Sequence, residues 1–236
     1  MIEIETLFSD EHILVVNKPS GLSTIPDGYN STLPHLKGRL EANHDRLWIV
    51  HRLDKDTSGV IILARTPYAH RALNMQFESR SVNKTYHALI IGTPHWEDKI
   101  IKYPLRKNGD RKHRTIVDNK RGRSAVTNAH VLHRYKGYCH ISASPETGYT
   151  HQIRSHLAAA GFPVLSDPLY SKPANASNHT PPLHYPLTEI ITRSALHAYS
   201  LEFTHPHLDS RMKIQASYPR DFNEALLYLQ EKESGA

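Results

Sequence analysis

Cysteine is almost absent from this chain, and other features that would define a protein class are missing as well. The single cysteine, Cys139, cannot form an internal disulfide bond, and residues 1–5 lack the basic and then apolar pattern of a signal peptide. No run of about eighteen apolar residues is present that could span a bilayer. These absences predict a cytoplasmic protein that does not enter a membrane.

Sequence patterns for nucleotide cofactors and metals are also missing. Neither Gly-x-Gly-x-x-Gly nor Gly-x-x-x-x-Gly-Lys-Ser/Thr occurs, so no cradle for a nucleotide cofactor is visible. The chain has 18 histidines, but their spacing fits neither His-Glu-x-x-His nor a Cys/His zinc pattern. We therefore expect no cofactor and no metal.

Positive charge is what the chain has in excess. The 236 residues carry a formal net charge of +6, in a composition (39% hydrophobic, 22% charged) typical of an ordinary globular protein, and we expect one domain over residues 1–236. Residues 99–136 are densely basic, and this density suits contacts with phosphate groups. A solvated, flexible loop would also account for this density of basic residues, so charge alone leaves both interpretations open.

Hydrophobic periodicity predicts strands and helices in an irregular order. Residues 171–194, rich in proline and small polar residues, predict a loop that contributes no core. An order without a regular strand-helix-strand repeat predicts an α+β fold, with a mixed, mostly antiparallel central sheet flanked by helices and a catalytic cleft. The predicted strands are 13–17, 47–50, 60–64, 82–90, 124–135, 138–144, 195–204 and 212–217, and the predicted helices are 36–40, 67–77, 151–160 and 222–229.

Two of the predicted helices carry terminal residues of the expected types. Thr66 can cap the second helix, and Pro67 stands where its missing N–H is harmless. Thr150 can cap the third helix, which Gly161 closes. On a helical wheel Arg154 lies at the edge of the apolar face of the third helix, where its stem can pack while its head points into a cleft.

A cluster of polar residues separates two predicted strands. The sequence His51-Arg52-Leu53-Asp54-Lys55-Asp56-Thr57-Ser58-Gly59 puts two carboxylates, an arginine and a histidine directly before the apolar run 60–64. This position indicates a site at the mouth of a buried strand. Asp54 taken alone could equally cap a turn, as aspartate commonly does.

This cluster closely resembles the His-Arg-Leu-Asp-x-x-Thr-Ser-Gly motif of the RluA-type pseudouridine synthases. Other blocks resemble that family in the same order along the chain: Asn17-Lys18-Pro19-Ser20-Gly21-Leu22, Lys84-Thr85-Tyr86-His87-Ala88, Thr147-Gly148-Tyr149-Thr150-His151-Gln152-Ile153-Arg154, and Leu196-His197-Ala198 through His205-Pro206. The resemblance implies an isomerase that breaks the N-glycosidic bond of a uridine in RNA, turns the uracil and rejoins it through C5, without a cofactor or a metal.

The resemblance also implies catalytic residues. Asp54 matches the catalytic aspartate, which either attacks the sugar or assists its deprotonation; the resemblance does not decide between them. Arg154 matches the arginine that pairs with this aspartate, and Tyr86 the aromatic residue that stacks on the target base. Glycosidic cleavage builds positive charge on the sugar, which a carboxylate can stabilise or trap. Asp56 falls on a variable position and is expected to be a solvated charge.

Other residues are expected to bind the RNA. Leu196 resembles the apolar residue on the far side of the base, and His51 and Arg52 belong to the same RNA-binding motif as Asp54. Arg52 either inserts into the base stack or contacts a phosphate. In the basic stretch, Arg121 and Arg123 are the expected phosphate contacts.

Some expectations concern partners and departures from the family pattern. Tyr149 stands where the family usually has arginine, and Ser166 where it usually has glycine, which puts the choice of RNA in doubt rather than the reaction. We expect a monomer that acts on ribosomal or transfer RNA without an amino-terminal S4-type RNA-binding domain. The alternative is a catalytically silent RNA-binding protein of the same fold.

Overall fold

The computed structural model describes residues 3–26, 28, 30, 32–171 and 187–234. The chain forms two compact units, a first unit of residues 1–85 and 197–218 and a second unit of residues 86–196 and 219–236. In chain order the elements are β1 (Glu5–Ser9), β2 (Ile13–Lys18), α1 (Leu36–Glu41), β3 (Trp48–Ile49), β4 (Ser58–Ala64), α2 (Pro67–Glu78), β5 (Asn83–Ile91), β6 (Asp98–Ile101), β7 (Leu105–Arg106), β8 (Ile116–Val117), β9 (Thr127–Tyr135), β10 (Tyr138–Pro145), α3 (Gln152–Ala159), α4 (Leu187–Ile190), β11 (Leu196–Thr204), β12 (Arg211–Gln215) and α5 (Arg220–Ser234).

The first unit is organised around β4, whose seven residues are all buried. Strand β2 pairs antiparallel with one edge of β4, from Ile13 opposite Ala64 to Lys18 opposite Gly59. On the other edge, β3 pairs antiparallel with the end of β4 and β11 pairs parallel with its beginning. Strands β1 and β12 extend the sheet antiparallel from β2 and β11. The sheet is therefore mixed and mostly antiparallel, as the sequence predicts.

Helix α2 packs on β4 and begins as its sequence predicts. The hydroxyl of Thr66 accepts a hydrogen bond from the backbone N–H of Ala69, and Pro67 occupies the first turn. Ala69 and Leu73, which are four residues apart and share a face, are fully buried. The prediction that this helix packs against the sheet is confirmed.

Glycine is required at position 59 by the parallel pairing of β4 with β11. Gly59 has φ of +115°, and its register partner is Ala198. A methyl group at position 59 would overlap the backbone of Ala198, including its carbonyl oxygen. Ser58 and His197 are the neighbouring register pair, and the serine Oγ lies 2.9 Å from Nδ1 of the imidazole. Two of the family-like sequence blocks thus meet in one strand pair.

The second unit contains an antiparallel sheet in the order β5-β10-β9-β6. The predicted hairpin of β9 and β10 is present and turns at Lys136-Gly137, where glycine has φ of +82°. Helix α3 packs on β9 and β10, and α5 packs on β9 and α4. Each unit therefore combines a sheet with helices, which confirms the α+β class.

Several local predictions for the second unit are wrong. Thr150 does not cap α3, because His151 occupies the cap position in the left-handed conformation, at φ of +55°, and its side chain makes no capping bond. The loop predicted over 171–194 contributes to the core after all, since Leu187 and Ile191 are fully buried; residues 172–186 of that prediction lie outside the described residues. Helix α5 also extends beyond its predicted end at residue 229.

The close approach of β11 to Gly59 generates a stability prediction. Gly59→Ala should lower the free energy of unfolding by at least about 3 kcal/mol, because the new methyl group meets backbone and the residue keeps a strained positive φ. Urea unfolding followed by circular dichroism measures the change. Gly28→Ala is the matched control, since a Cβ there has no atom of the described residues within 4 Å, and its change should stay within about 0.5 kcal/mol. Equal stability of the two variants would contradict the prediction.

Candidate active site

Asp54 lies on the loop that joins β3 to β4, in the first unit. Leu53 is buried, Asp54 is half-buried, and Arg52 is exposed. The backbone N–H of Thr57 donates to the carbonyl oxygen of Asp54 at 3.2 Å, which closes a turn directly after the carboxylate. The loop therefore has one apolar anchor, Leu53, next to a carboxylate that remains accessible.

The hydroxyl group of Thr24 holds the backbone on the amino-terminal side of Asp54. It donates to the carbonyl oxygen of Leu53 at 3.0 Å and accepts from the N–H of the same residue at 3.2 Å. Thr24 is itself buried, so the two bonds are shielded from water. Both backbone groups of Leu53 are fixed by one side chain.

The ammonium group of Lys18 holds the backbone on the carboxyl-terminal side of Asp54. Lys18 is fully buried, and its Nζ donates to the carbonyl oxygens of Pro19 at 2.9 Å, Leu22 at 2.8 Å and Lys55 at 3.1 Å. An ammonium group has three N–H donors, and three carbonyl oxygens surround this one. Lys18 thereby ties the turn that follows β2 to the residue directly after Asp54.

His51 has a structural role at the start of the same loop. Its Nε2 accepts the backbone N–H of Ile62 at 3.1 Å, and its ring stacks on Phe77 with a centroid distance of 4.6 Å. Burial of the ring, together with the nearby charge of Lys84, lowers the pKa of His51 to about 3. A neutral imidazole is required, because Nε2 can accept only when it carries no proton. A contact of His51 with RNA stays a prediction.

Arg154 lies on α3 in the second unit, and its side chain is buried. Its Nε and Nη2 donate to the two carboxylate oxygens of Asp167, at 2.6 Å and 2.8 Å. Asp167 is fully buried and also accepts from the N–H groups of Leu169 and Tyr170. Burial by itself raises the pKa of Asp167, but the hydrogen bonds and charge of Arg154 lower it overall. This pair was not predicted from the sequence, because Asp167 lies outside the family-like blocks.

The other residues expected to contact the base also lie in the second unit. Tyr86 is half-buried on β5, opposite Ala143 of β10. Leu196 begins β11 and is buried, with its carbonyl oxygen near Nη1 of Arg193 at 3.5 Å. The structure thus places Asp54, His51 and Arg52 in the first unit, and Tyr86, Arg154 and Leu196 in the second.

Part of the basic stretch is a folded structure, which we call the basic hairpin (residues 105–123). Strands β7 and β8 pair antiparallel, and Leu105 and Arg123 exchange backbone hydrogen bonds at 2.9 Å. Its two acidic residues are used internally: Asp118 pairs with Arg106 at 2.6 Å, and Asp110 pairs with Arg114 at 2.6 Å. In residues 105–123 the structure therefore shows paired strands instead of the flexible loop that the sequence also allowed.

The cations of the basic hairpin that do not serve these two ion pairs point outward. They are exposed, and the hairpin carries no acidic residue besides Asp110 and Asp118. A surface of this kind attracts polyanions over the range of a Debye length, about 8 Å at physiological ionic strength. The exposed cations are Lys107, Arg111, Lys112, Lys120, Arg121 and Arg123.

The described residues contain neither a metal site nor a membrane-spanning helix. Within the part of the chain that the structure describes, no group of three or more His, Cys, Asp or Glu side chains could hold a metal ion. Among the described helices, none is both long and apolar enough to cross a bilayer.

Known proteins resemble this chain over most of its length. A family model described as RNA pseudouridylate synthase matches residues 12–159. A Pseudomonas aeruginosa protein named ribosomal large subunit pseudouridine synthase D is 40% identical over 233 residues, which cover 94% of this chain and 70% of that protein. The protein of the same name from Zymomonas mobilis is 36% identical over 231 residues, covering 93% of this chain and 71% of that protein.

The solved structures give the same result for the fold. The human protein titled RNA Pseudouridylate Synthase Domain Containing 4 matches with a TM-score of 0.74 and 25% identity, covering 96% of this chain and 93% of that one. Fold and relatives together define an isomerase. The chain belongs to the RNA pseudouridylate synthase family, which confirms the resemblance seen in its motifs.

The depressed pKa of His51 predicts a loss of stability in acid. The pKa of His51 in the folded protein, about 3, lies below the ordinary value of 6.5. Between these two pH values the imidazole is therefore protonated in the unfolded chain but neutral in the folded chain. The contribution of His51 is therefore complete above pH 6.5 and is lost as the pH falls toward 3, with a slope of at most about 1.4 kcal/mol per pH unit.

The matched variant for this prediction is His51→Gln, which keeps a hydrogen-bond acceptor but does not titrate. Urea unfolding at about pH 7 and about pH 5 should show a shallower pH slope for the variant than for the unchanged protein. Identical pH slopes for the two proteins would contradict the lowered pKa of His51 in the folded state.

Proposed function

We propose that this chain converts specific uridines of RNA to pseudouridine and that Asp54 is its catalytic carboxylate. The observation that carries the proposal is the fixation of the Asp54 loop on both sides, by Thr24 at Leu53 and by Lys18 at Lys55. A catalytic group has to be held within a fraction of an ångström of its productive position, and the fixed backbone supplies this. Asp54 is also the aspartate of the family-like motif.

The proposed reaction is an isomerisation, because the product has the same composition as the uridine. The bond between N1 and the ribose C1′ breaks, a bond between C5 and C1′ forms, and the C5 proton is lost to solvent while N1 gains one. The carboxylate of Asp54 either attacks the sugar or assists its deprotonation, and both routes require an ionised carboxylate next to a nucleotide that has left the base stack. No oxidant, reductant or cofactor enters this balance.

The proposed roles of the other catalytic residues follow the family motifs. Tyr86 would stack on the target base, and Leu196 would pack on its other side. Arg154 would orient Asp54, as the resemblance of its motif implies, while Asp167 holds the guanidinium through Nε and Nη2. Arg52 is exposed next to Asp54, which suits either insertion into the stack or a phosphate contact.

Ribosomal RNA is the substrate we propose first. Several relatives are named ribosomal large subunit pseudouridine synthases, from Pseudomonas aeruginosa, Zymomonas mobilis and Pasteurella multocida. Transfer RNA, the other substrate expected from the sequence, is the comparison for the test. The exposed cations of the basic hairpin would supply phosphate contacts, and we propose that the protein acts in the cytoplasm as a monomer of one catalytic domain.

Replacement of Asp54 is the direct test of the proposed chemistry. Asp54→Asn should lower tritium release from C5-labelled uridine in a large-subunit ribosomal RNA transcript by about 10⁴-fold or more, because the amide can neither attack nor take a proton. RNA binding, measured by filter retention, should be unchanged. Asp56→Asn, which removes the other carboxylate of the same loop, is the matched control and should retain activity.

The outcomes separate the two candidate functions. Undiminished release by Asp54→Asn would refute the catalytic assignment. Binding without release by the unchanged protein, on ribosomal and transfer RNA alike, would support the silent RNA-binding alternative instead.

Removal of exposed cations tests the proposed RNA surface. The double replacement Arg121→Ala with Arg123→Ala should weaken RNA binding and reduce the slope of log affinity against log salt by about 1.5, since about two phosphate contacts are lost. Arg220→Ala with Lys232→Ala removes the same charge from α5 and is the matched control, for which we expect an unchanged slope. An unchanged slope for the hairpin variant would exclude these two arginines as phosphate contacts.

A further inference from the structure

Tyr170 is a buried residue whose hydroxyl group joins two segments near Arg154. It accepts from the backbone N–H of Thr115 at 2.9 Å and donates to the carbonyl oxygen of the same residue at 3.0 Å. Nδ1 of His151 lies 3.2 Å from the same oxygen. Since the hydroxyl has one proton and gives it to Thr115, His151 must carry the proton at Nδ1 and donate. The oxygen thus binds the basic hairpin and the cap residue of α3 at once.

The ring of Tyr170 lies close to two guanidinium groups. The guanidinium carbon of Arg154 lies 5.2 Å from the ring centroid, and that of Arg114 lies 5.9 Å from it. Both distances fall within the range of a cation–π interaction. The backbone N–H of Tyr170 also donates to Asp167 at 3.1 Å, so ring and backbone hold both members of the Arg154–Asp167 pair.

The basic hairpin reaches the same two segments through its own side chains. The hydroxyl of Thr115 donates to the carbonyl oxygen of Thr150 at 2.8 Å, directly before the cap of α3. Nη1 of Arg114 donates to the carbonyl oxygen of Leu169 at 2.9 Å, in the turn that follows Asp167. Arg114 and Thr115 therefore hold both of the segments that position Arg154.

A turn closed by hydrogen bonds connects these contacts to the surface. Oδ1 of Asp110 accepts the backbone N–H groups of Lys112 and Arg114, at 3.0 Å and 3.1 Å, and its Oδ2 accepts from Nε of Arg114 at 2.6 Å. The side chains of Arg111 and Lys112 are exposed on this turn, three or four residues from Thr115. A phosphate bound by Arg111 and Lys112 would therefore also restrain Arg114 and Thr115, because hydrogen bonds to Asp110 close the turn between them.

We propose that Tyr170 is a positioning residue that couples the Asp110 turn of the basic hairpin to Arg154, so that RNA bound by Arg111 and Lys112 favours the reaction as well as binding. The inference rests on the proposed function, because it requires that the hairpin binds RNA and that Arg154 orients the catalytic carboxylate. Binding energy from a remote part of the substrate is then used to hold a reacting group in place.

A double-mutant cycle tests this coupling. Arg111→Ala with Lys112→Ala should lower kcat and raise KM for tritium release from the ribosomal RNA transcript. Tyr170→Phe keeps the ring and its packing but loses the hydroxyl, and it should lower kcat by about tenfold with little change in KM; pairs within one hydrogen-bond network couple by about 2- to 100-fold. In the Tyr170→Phe protein, the hairpin change should still raise KM but should no longer lower kcat.

Two further variants keep the test decisive. Tyr135→Phe removes another buried tyrosine hydroxyl of the second unit, one that bonds to Gln230, and its effects should multiply with those of the hairpin change. Thr115→Val removes only the bond to Thr150 and should lower kcat in the same direction as Tyr170→Phe, which provides a second route if Tyr170→Phe does not fold, as judged by circular dichroism.

The results distinguish failure of the coupling from failure of the proposed function. Absence of tritium release by the unchanged protein would refute the proposed function. Activity of the unchanged protein with kcat effects that simply multiply in the cycle would overturn the coupling alone. A fall in kcat for the hairpin change that disappears in the Tyr170→Phe background would support it.

Discussion

The buried ammonium group of Lys18 is the interaction on which the first unit and its loop depend. Three carbonyl oxygens surround it, and they belong to segments far apart in the chain: the turn after β2 and the residue after Asp54. An ammonium group removed from water is stable only where such acceptors replace its hydration. The turn and the loop must therefore take up their positions together. Thr24 adds a second tie at Leu53, so the carboxylate of Asp54 projects from a backbone that is held on both sides.

In the second unit, the basic hairpin exposes positive charge on a folded backbone. The basic hairpin has two acidic residues, and both are used internally, Asp118 with Arg106 and Asp110 with Arg114. Ion pairs that are partly exposed contribute little stability, but here they close turns that also bind backbone N–H groups. The exposed cations are consequently left without acidic neighbours inside the hairpin, and the chain around them has a defined shape.

Local patterns predicted most of the elements, because the residues that define a strand or a helix are close in sequence. The cap at Thr66 and the turn at Gly137 follow from single residues, and the structure confirms both. Thr150 failed as a cap for a tertiary reason: its backbone carbonyl binds Thr115, and the cap position moved to His151 in a conformation that local sequence does not favour. Leu187 was missed because it directly follows a segment rich in proline and small polar residues, which is typical of a loop.

By itself, the sequence determined the class of fold, the family and the identity of the residues expected to act, since motifs and periodicity are properties of neighbouring residues. Tertiary structure decided what holds those residues. The partners of the Asp54 loop, of Arg154 and of Gly59 are Lys18, Asp167 and Ala198. Such pairs combine ordinary residue types across long separations, and no periodicity links them. Only the folded chain, in which burial forces each polar group to find an acceptor or donor, shows which residues meet.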